Sequence, residues 1–353
     1  MKLSHTKAYL DGALAAGTFD TYAVMAGFDD GRGGDRDAAV ITSPGTDADT
    51  LFDIASMGKV LVTAPLILRL LPTGKLALDD TLARFLPGLP PDKQGITIRQ
   101  LLTHTSGILR RPIPDEVVAG GRDAILRYML DQPLGFEPGT SMQYSCWGYL
   151  LLGYLAEIVY GETLDRLFYR YIKGPLGLTR SDFNIPLTTP NAAVTHYRPA
   201  PGDCLVADSI VYQLKGVAGN GASFWTLSDI RRFVGAVLSK SPLLYAPEIY
   251  ATAETDWTPD FEEGRGLGWV IVDGRYPQTG RLFPAGSFGH CGNTGTSFFM
   301  DRRSGLYVIL LTNATRFSYM RRNYRTCDYA ETMHMREAVH EAIRADIGGI
   351  NEY

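Results

Sequence analysis

The chain has 353 residues, 45% hydrophobic and 20% charged, which is enough apolar material for one large domain or two modest ones. A formal net charge of −4 at pH 7 carries no electrostatic footprint for nucleic acid. No stretch approaches the roughly 20 apolar residues of a membrane span, and Lys7 and Asp11 interrupt the start of the chain, so no signal peptide is read and a cytoplasmic location is the default expectation.

In chain order, a helix is predicted over about 3–16. Two strands follow, TYAVMAGF and AAVIT, separated by the turn-rich DDGRGGDRD. After the strand-like LFDIA, a long apolar helix opens at Ser56, with a kink expected at Pro65 because proline cannot donate the intrahelical hydrogen bond. The stretch 75–215 carries short helical patterns broken by Pro and Gly, among them ITIRQLLTHTSGI and GYLLLGYLAEIVYG. Strands return in LGWVIVDG, TSFFMD and LYVILLTN, and an amphipathic helix is predicted over about 329–346.

Strands at both ends imply one sheet built from both termini, and the short spacing of the last strands favours antiparallel pairing. The expected class is α/β (α+β): an antiparallel sheet flanked by helices, with an inserted helical subdomain. The expected division is 1–74 with 215–353 for the sheet domain and 75–214 for the mainly helical one.

Four cysteines, Cys146, Cys204, Cys291 and Cys327, form no CxxC or CxxH pair, so neither a disulfide framework nor a zinc site is expected. HExxH and GxxxxGK[ST] do not occur, which removes the main support for metalloprotease and NTPase readings. The basic cluster between Arg316 and Arg325 reads as a solvated or substrate-edge segment.

Ser56 and Lys59 lie three residues apart in FDIASMGKVLV, on one face of the expected helix. A buried lysine near another cation loses its proton more readily and can serve as a base for the serine. Ser4 and Lys7 have the same spacing, but on a polar terminal segment. Two further pieces favour Ser56. Tyr144 in FEPGTSMQYSC precedes an apolar helix, and His290-Cys291-Gly292 stands where a glycine-rich segment leads into a strand and would let a substrate lie against the backbone.

The order SxxK, a tyrosine motif and a late K/H-x-G resembles the serine β-lactamase and penicillin-binding-protein superfamily. The closest likeness is to its class C β-lactamase-like branch, which includes the family VIII carboxylesterases. LFDIASMGK, ITIRQLLTHTSGI, FEPGTSMQYS, GLGW and GHCGNTGTSFFMDRRSGLYVILLTN carry it over most of the chain. The resemblance implies Ser56 as nucleophile, Lys59 and Tyr144 sharing the proton work, and backbone N–H groups of Ser56 and Asn293 as the oxyanion hole. It places Cys146, His290, Cys291 and Gly292 at the substrate. Neither cofactor nor metal is required, the expected partner is a small acyl substrate, and the oligomeric state is left open.

Two departures bear on the substrate. His290 stands where lysine is usual, removing a fixed charge for a substrate carboxylate. Cys146 stands where asparagine is usual, replacing an amide donor and acceptor by a thiol. An ester or activated acyl substrate is therefore expected ahead of a β-lactam or a D-amino-acid peptide. Acyl transfer to a small acceptor and a catalytically silent sensor are the alternatives. Cys146 and Cys291 read first as small buried fillers, with cleft-lining thiols as the second possibility. His104 is expected to be structural. GVAGNGASFW, with Asn220 and Trp225, is expected to form a reshaped pocket wall. Tyr212, Trp147, Trp225 and Trp257 are core residues by default and an aromatic substrate wall otherwise.

Overall fold

A computed structural model describes residues 1–186, 188–195, 206–221, 223–314 and 329–348. Cys204, Cys327 and the basic cluster from Arg316 to Arg325 lie outside the described residues. The strands are β1 (Tyr22–Asp29), β2 (Asp35–Thr42), β3 (Phe52–Asp53), β4 (Asp182–Phe183), β5 (Ser223–Trp225), β6 (Gly264–Arg265), β7 (Val270–Ile271), β8 (Phe288–Cys291), β9 (Ser297–Met300) and β10 (Leu306–Thr312). Seven form one antiparallel sheet in the order β2-β1-β10-β9-β8-β7-β6. A small second sheet runs β3-β5-β4, so the predominantly helical middle of the chain also contributes a strand.

The large sheet is covered on both faces. On β10, Tyr307, Ile309 and Leu311 enter a core shared with the helical region, while Leu306, Val308 and Leu310 enter a second core under the terminal helices. That double burial is why LYVILLT reads as continuously apolar, since alternating residues serve opposite cores. The helices Ser4–Ala15 and Tyr329–Asp346 close the second core through Leu10, Met335, Val339 and Ile343. Asp346 accepts the backbone N–H groups of His5 and Thr6 at 2.9 and 3.0 Å, placing a carboxylate at the start of the first helix, where the macrodipole favours it.

The apolar run after Ser56 is not one α-helix kinked at Pro65. It passes through a 3-10 turn (Ala55–Met57), a π turn (Lys59–Thr63), a short α-helix (Ala64–Leu68) and another 3-10 turn (Leu71–Thr73). The widened turn comes directly before Pro65, whose missing N–H breaks the regular ladder. The 19 residues Ala55–Thr73 are long and apolar enough to cross a membrane by length and composition, and 72% of the stretch is buried within the protein. This passage is a core segment with apolar neighbours on most sides.

Candidate active site

The site is built where three remote segments meet. At the start of the buried passage, Ala55 adopts φ +46°, a backbone conformation few side chains tolerate. The Asp53 carboxylate holds it there by accepting the Ala55 N–H at 2.8 Å. Asp53 is fully buried, and desolvation pushes its carboxyl up to about 6, against the pull of the Ala207 and Ala55 N–H groups.

Ser56 lies in the 3-10 turn and Lys59 opens the π turn that follows, and Lys59 Nζ lies 3.0 Å from Ser56 Oγ. Lys59 has no exposed surface, and its amine also donates to the Asn220 carbonyl at 2.6 Å. Burial lowers its pKa and the nearby Arg265 charge adds to this, while Cys146 and Asp208 oppose it. The other SxxK is different in kind: Ser4 and Lys7 are exposed, and Lys7 pairs with Asp11 at 2.5 Å.

Tyr144 faces the same point. The Lys59 amine lies 5.0 Å from its ring centroid, and the Ser56 hydroxyl acts to lower the pKa of its phenol. Tyr144 is 38% exposed, and desolvation, with the Cys146 thiol adding to it, raises its pKa well above that of an ordinary tyrosine. A neutral phenol therefore meets the serine.

His104 clamps this tyrosine from both sides. Its carbonyl accepts Gln143 N–H at 3.0 Å and its Nδ1 accepts Ser145 N–H at 3.1 Å, while the imidazole packs 4.5 Å from the Tyr144 ring. The structural role expected for His104 is the one its contacts describe, and its φ of +61° marks the strain it bears.

Cys146 does not behave as buried filler. Its half-buried Sγ lies 3.7 Å from Lys59 Nζ, inside the site. Cys291 does: it points from β8 into the second core and accepts a hydrogen bond from Tyr276 at 3.3 Å, with burial raising its pKa. The period of two along β8 turns Cys291 away from the site and puts His290 on the opposite face, 6.2 Å from the Tyr144 ring. Burial, then Arg265 and Lys59, hold His290 well below the usual imidazole range. Its Nδ1 donates to the Cys291 carbonyl at 2.8 Å, so the neutral ring keeps a lone pair on Nε2.

The turn after β8 is fastened to the nucleophile segment. Thr294 Oγ1 donates to the Asp53 carbonyl at 2.7 Å and Thr296 Oγ1 to the Ile54 carbonyl at 3.3 Å. A side chain at Gly292 would place Cβ 2.3 Å from the Ile54 carbonyl, so only glycine permits this approach.

Arg265, on β6, was missed in the sequence although it immediately precedes the GLGW motif. It is 4% exposed, pairs with Glu263 and lies 5.6 Å from the Tyr144 ring centroid, so a fixed cation backs the site. The aromatic-wall expectation fails for two of its members. Trp147 and Trp225 are fully buried core residues, because the apolar helix and the short strand that carry them pack inward. Trp257 packs against Arg99, with the guanidinium 5.3 Å from the ring centroid, and Tyr212 is half-buried on the short helix Ser209–Gln213. The 216–221 segment contributes a backbone atom to the site, the Asn220 carbonyl. Among the described residues, no cluster of three His, Cys, Asp or Glu side chains could hold a metal ion.

The Beta-lactamase family profile matches residues 22–330 of this chain. The chain belongs to the beta-lactamase family. A protein of Escherichia coli (strain K12) with a provisional D-alanyl-D-alanine carboxypeptidase name is 30% identical over 301 residues, covering 75% of this chain and 69% of the relative. Solved structures with the same fold include the octameric penicillin-binding protein homologue of Pyrococcus abyssi, at 20% identity and TM-score 0.72 over 99% of this chain and 78% of that one. Simvastatin synthase of Aspergillus terreus, as its LovD6 mutant, matches at 21% identity and TM-score 0.72 over 97% and 96%. EstCE1, a hydrolase with promiscuous acyltransferase activity, matches at 20% and 0.69 over 95% and 97%. The family places this chain among serine hydrolases of beta-lactamase fold.

Proposed function

We propose that this beta-lactamase-family protein is a carboxylesterase-like serine hydrolase that acts on an ester or activated acyl substrate through an acyl-enzyme on Ser56. The observation that carries the reading is the Lys59 amine: fully buried, shifted toward its neutral form and 3.0 Å from Ser56 Oγ. A neutral amine can accept the serine proton while donating its own hydrogen to the Asn220 carbonyl.

As Ser56 Oγ bonds to the acyl carbon, Lys59 takes the hydroxyl proton. The carbonyl π electrons move onto oxygen, where the N–H groups of Ser56 and Asn293 receive them. Collapse of this tetrahedral species breaks the bond to the leaving alkoxide, which regains the proton from Lys59 through the Tyr144 hydroxyl. Water then enters by the same route in reverse, gives its proton to the Tyr144–Lys59 pair and releases the acid, restoring the Ser56 hydroxyl.

The ester preference is supported by two residues. Neutral His290 supplies no fixed cation for a substrate carboxylate. Cys146 offers a weak thiol to Lys59 where an amide would be a strong partner. A second reading, peptidase action on a D-alanyl peptide, is favoured by the name of the E. coli relative and by the buried Arg265 cation. Acyl transfer to a small acceptor in place of water uses the same acyl-enzyme.

Intact-protein mass spectrometry of wild type and Ser56→Ala with p-nitrophenyl butyrate, a fluorophosphonate, nitrocefin and a D-Ala-D-Ala peptide separates these. The expected result is an adduct on Ser56 and fast ester turnover, both lost in the folded alanine variant. Substantial ester hydrolysis by that variant would falsify the assignment of Ser56. Peptide turnover exceeding ester turnover selects the second reading.

A further inference from the structure

The peptide joining Gly292 to Asn293 is gripped from the far side of the sheet. Arg336, on the helix Tyr329–Asp346, is fully buried, and its Nη2 donates to the Gly292 carbonyl. Nη1 donates to Gln278 Oε1 at 2.5 Å, and His340, one turn further along the helix, donates through Nδ1 to the Gln278 carbonyl at 2.9 Å. Gly295 N–H adds a second hydrogen bond to the Gly292 carbonyl at 3.1 Å.

A buried guanidinium is costly unless charge or hydrogen bonds offset it. Among the described residues no carboxylate pairs with Arg336, and its Nε has no partner. An apolar side chain would fill this place at lower cost, so the charge calls for a role beyond packing.

The surrounding topology supplies that role. Met335 and Val339 of this helix belong to the second core, whereas Ile54 and Met57, on either side of Ser56, belong to the first. Arg336 and Ser56 therefore stand on opposite faces of the sheet. No cis peptide bond occurs among the described residues. In a trans peptide the C=O and N–H point in opposite directions. A carbonyl held on the helix side turns the Asn293 N–H toward the Ser56 side.

We propose that Arg336 is a positioning residue for the oxyanion site, holding the Gly292 carbonyl so that the Asn293 N–H is aimed and polarised for the developing negative charge. The proposal rests on the acyl-enzyme reading with Asn293 N–H as an oxyanion donor. A cation on the carbonyl oxygen draws electron density through the amide and strengthens its N–H as a donor, as in any polarised hydrogen-bond chain.

The test compares wild type, Arg336→Gln and Arg336→Lys, with active sites counted by fluorophosphonate so that rates are expressed per competent site. Pre-steady-state acylation by p-nitrophenyl butyrate, steady-state kcat and KM, and the affinity of a phenylboronic acid that forms a tetrahedral adduct would be measured beside thermal melting. The glutamine variant is expected to lose about ten- to a hundredfold in acylation rate and kcat, less than complete loss of an oxyanion donor. KM should change little, boronate affinity should weaken in parallel, and lysine should restore part of both. Wild-type rates and boronate affinity per titrated site, whatever the change in melting temperature, overturn the proposal. If the glutamine variant does not fold, the lysine variant decides: a partial loss supports the role and wild-type behaviour sinks it. A wild type that forms no Ser56 adduct removes the underlying reading, and this inference with it.

Discussion

Lys59 and Asn220 are 161 positions apart, and the lysine amine donates to the asparagine carbonyl at 2.6 Å. Glycines make that reach possible. A Cβ on Gly219 would lie 2.3 Å from the Tyr149 carbonyl, and one on Gly221 would lie 2.5 Å from the Ala55 carbonyl. The segment therefore runs backbone to backbone against both the Cys146–Tyr160 helix and the nucleophile turn. One carbonyl, held by close packing, orients the amine that faces Ser56.

Gly221→Ala tests this arrangement. Gly221 has φ +151°, and its added Cβ would push against Ala55. The variant should lose about 1–3 kcal/mol of stability by overpacking and should lose acylation rate more than ester affinity. Chemical denaturation beside single-turnover kinetics checks both, and unchanged acylation in a destabilised variant would break the link between this carbonyl and Lys59.

The pH dependence of kcat/KM should report Lys59. Neutral amine is the active form, so activity rises with pH through its lowered pKa. Burial is the main cause of that lowering, and the Arg265 charge contributes in the same direction. Arg265→Gln removes a positive neighbour, which raises the Lys59 pKa and moves the acid limb to higher pH. An acid limb that stays in place or moves down contradicts the coupling.

Cys146 and Cys291 should respond differently to iodoacetamide. Cys146 is half-buried with its sulfur 3.7 Å from Lys59, while Cys291 is 8% exposed and bonded to Tyr276. Alkylation is expected at Cys146 first, with ester turnover lost in step and slowed by a bound boronic acid. Peptide mapping against residual activity checks this, and full activity with Cys146 completely alkylated contradicts its placement beside the base.

Acid stability should depend on His340. Its ring is fully buried between Phe283 and Phe299, and desolvation lowers its pKa to about 4. A depressed folded-state pKa gives a contribution that is present above the unfolded value of about 6.5 and lost as pH falls toward 4. The difference corresponds to about 3 kcal/mol at most. Asp53 acts in the opposite sense: with its pKa raised to about 6, its contribution is present below the unfolded value of 3.8 and lost as pH rises through 6. His340→Gln should therefore flatten the acid-side fall in urea midpoint, and Asp53→Asn should steepen it. The reverse pattern in either variant rejects the assignment.

Much of this protein was legible in the amino-acid order, because the relevant signals are local. Alternating burial on two cores left LYVILLT continuously apolar, ITIRQLLTHTSGI carried a short helical pattern, and the SxxK, Tyr144 and His290-Cys291-Gly292 motifs carried the likeness to the family. The helix kinked at Pro65 was misread because a π turn has no distinct local pattern: its side chains keep the same apolar character as an α-helix. The two cysteines could not be told apart until β8 set the face of Cys291 and Lys59 approached Cys146.

What only the tertiary structure decided is the set of groups acting across long gaps in the chain. Arg265, the Asn220 carbonyl and Arg336 carry no motif that announces them, since a buried cation and a backbone oxygen gain their effect from what folding brings within a few ångströms. Sequence alone singled out Ser56, Lys59 and Tyr144 as the candidate reacting groups. Burial and proximity, which are properties of the packed chain, decided which of them are charged, which are neutral and which way the donors point.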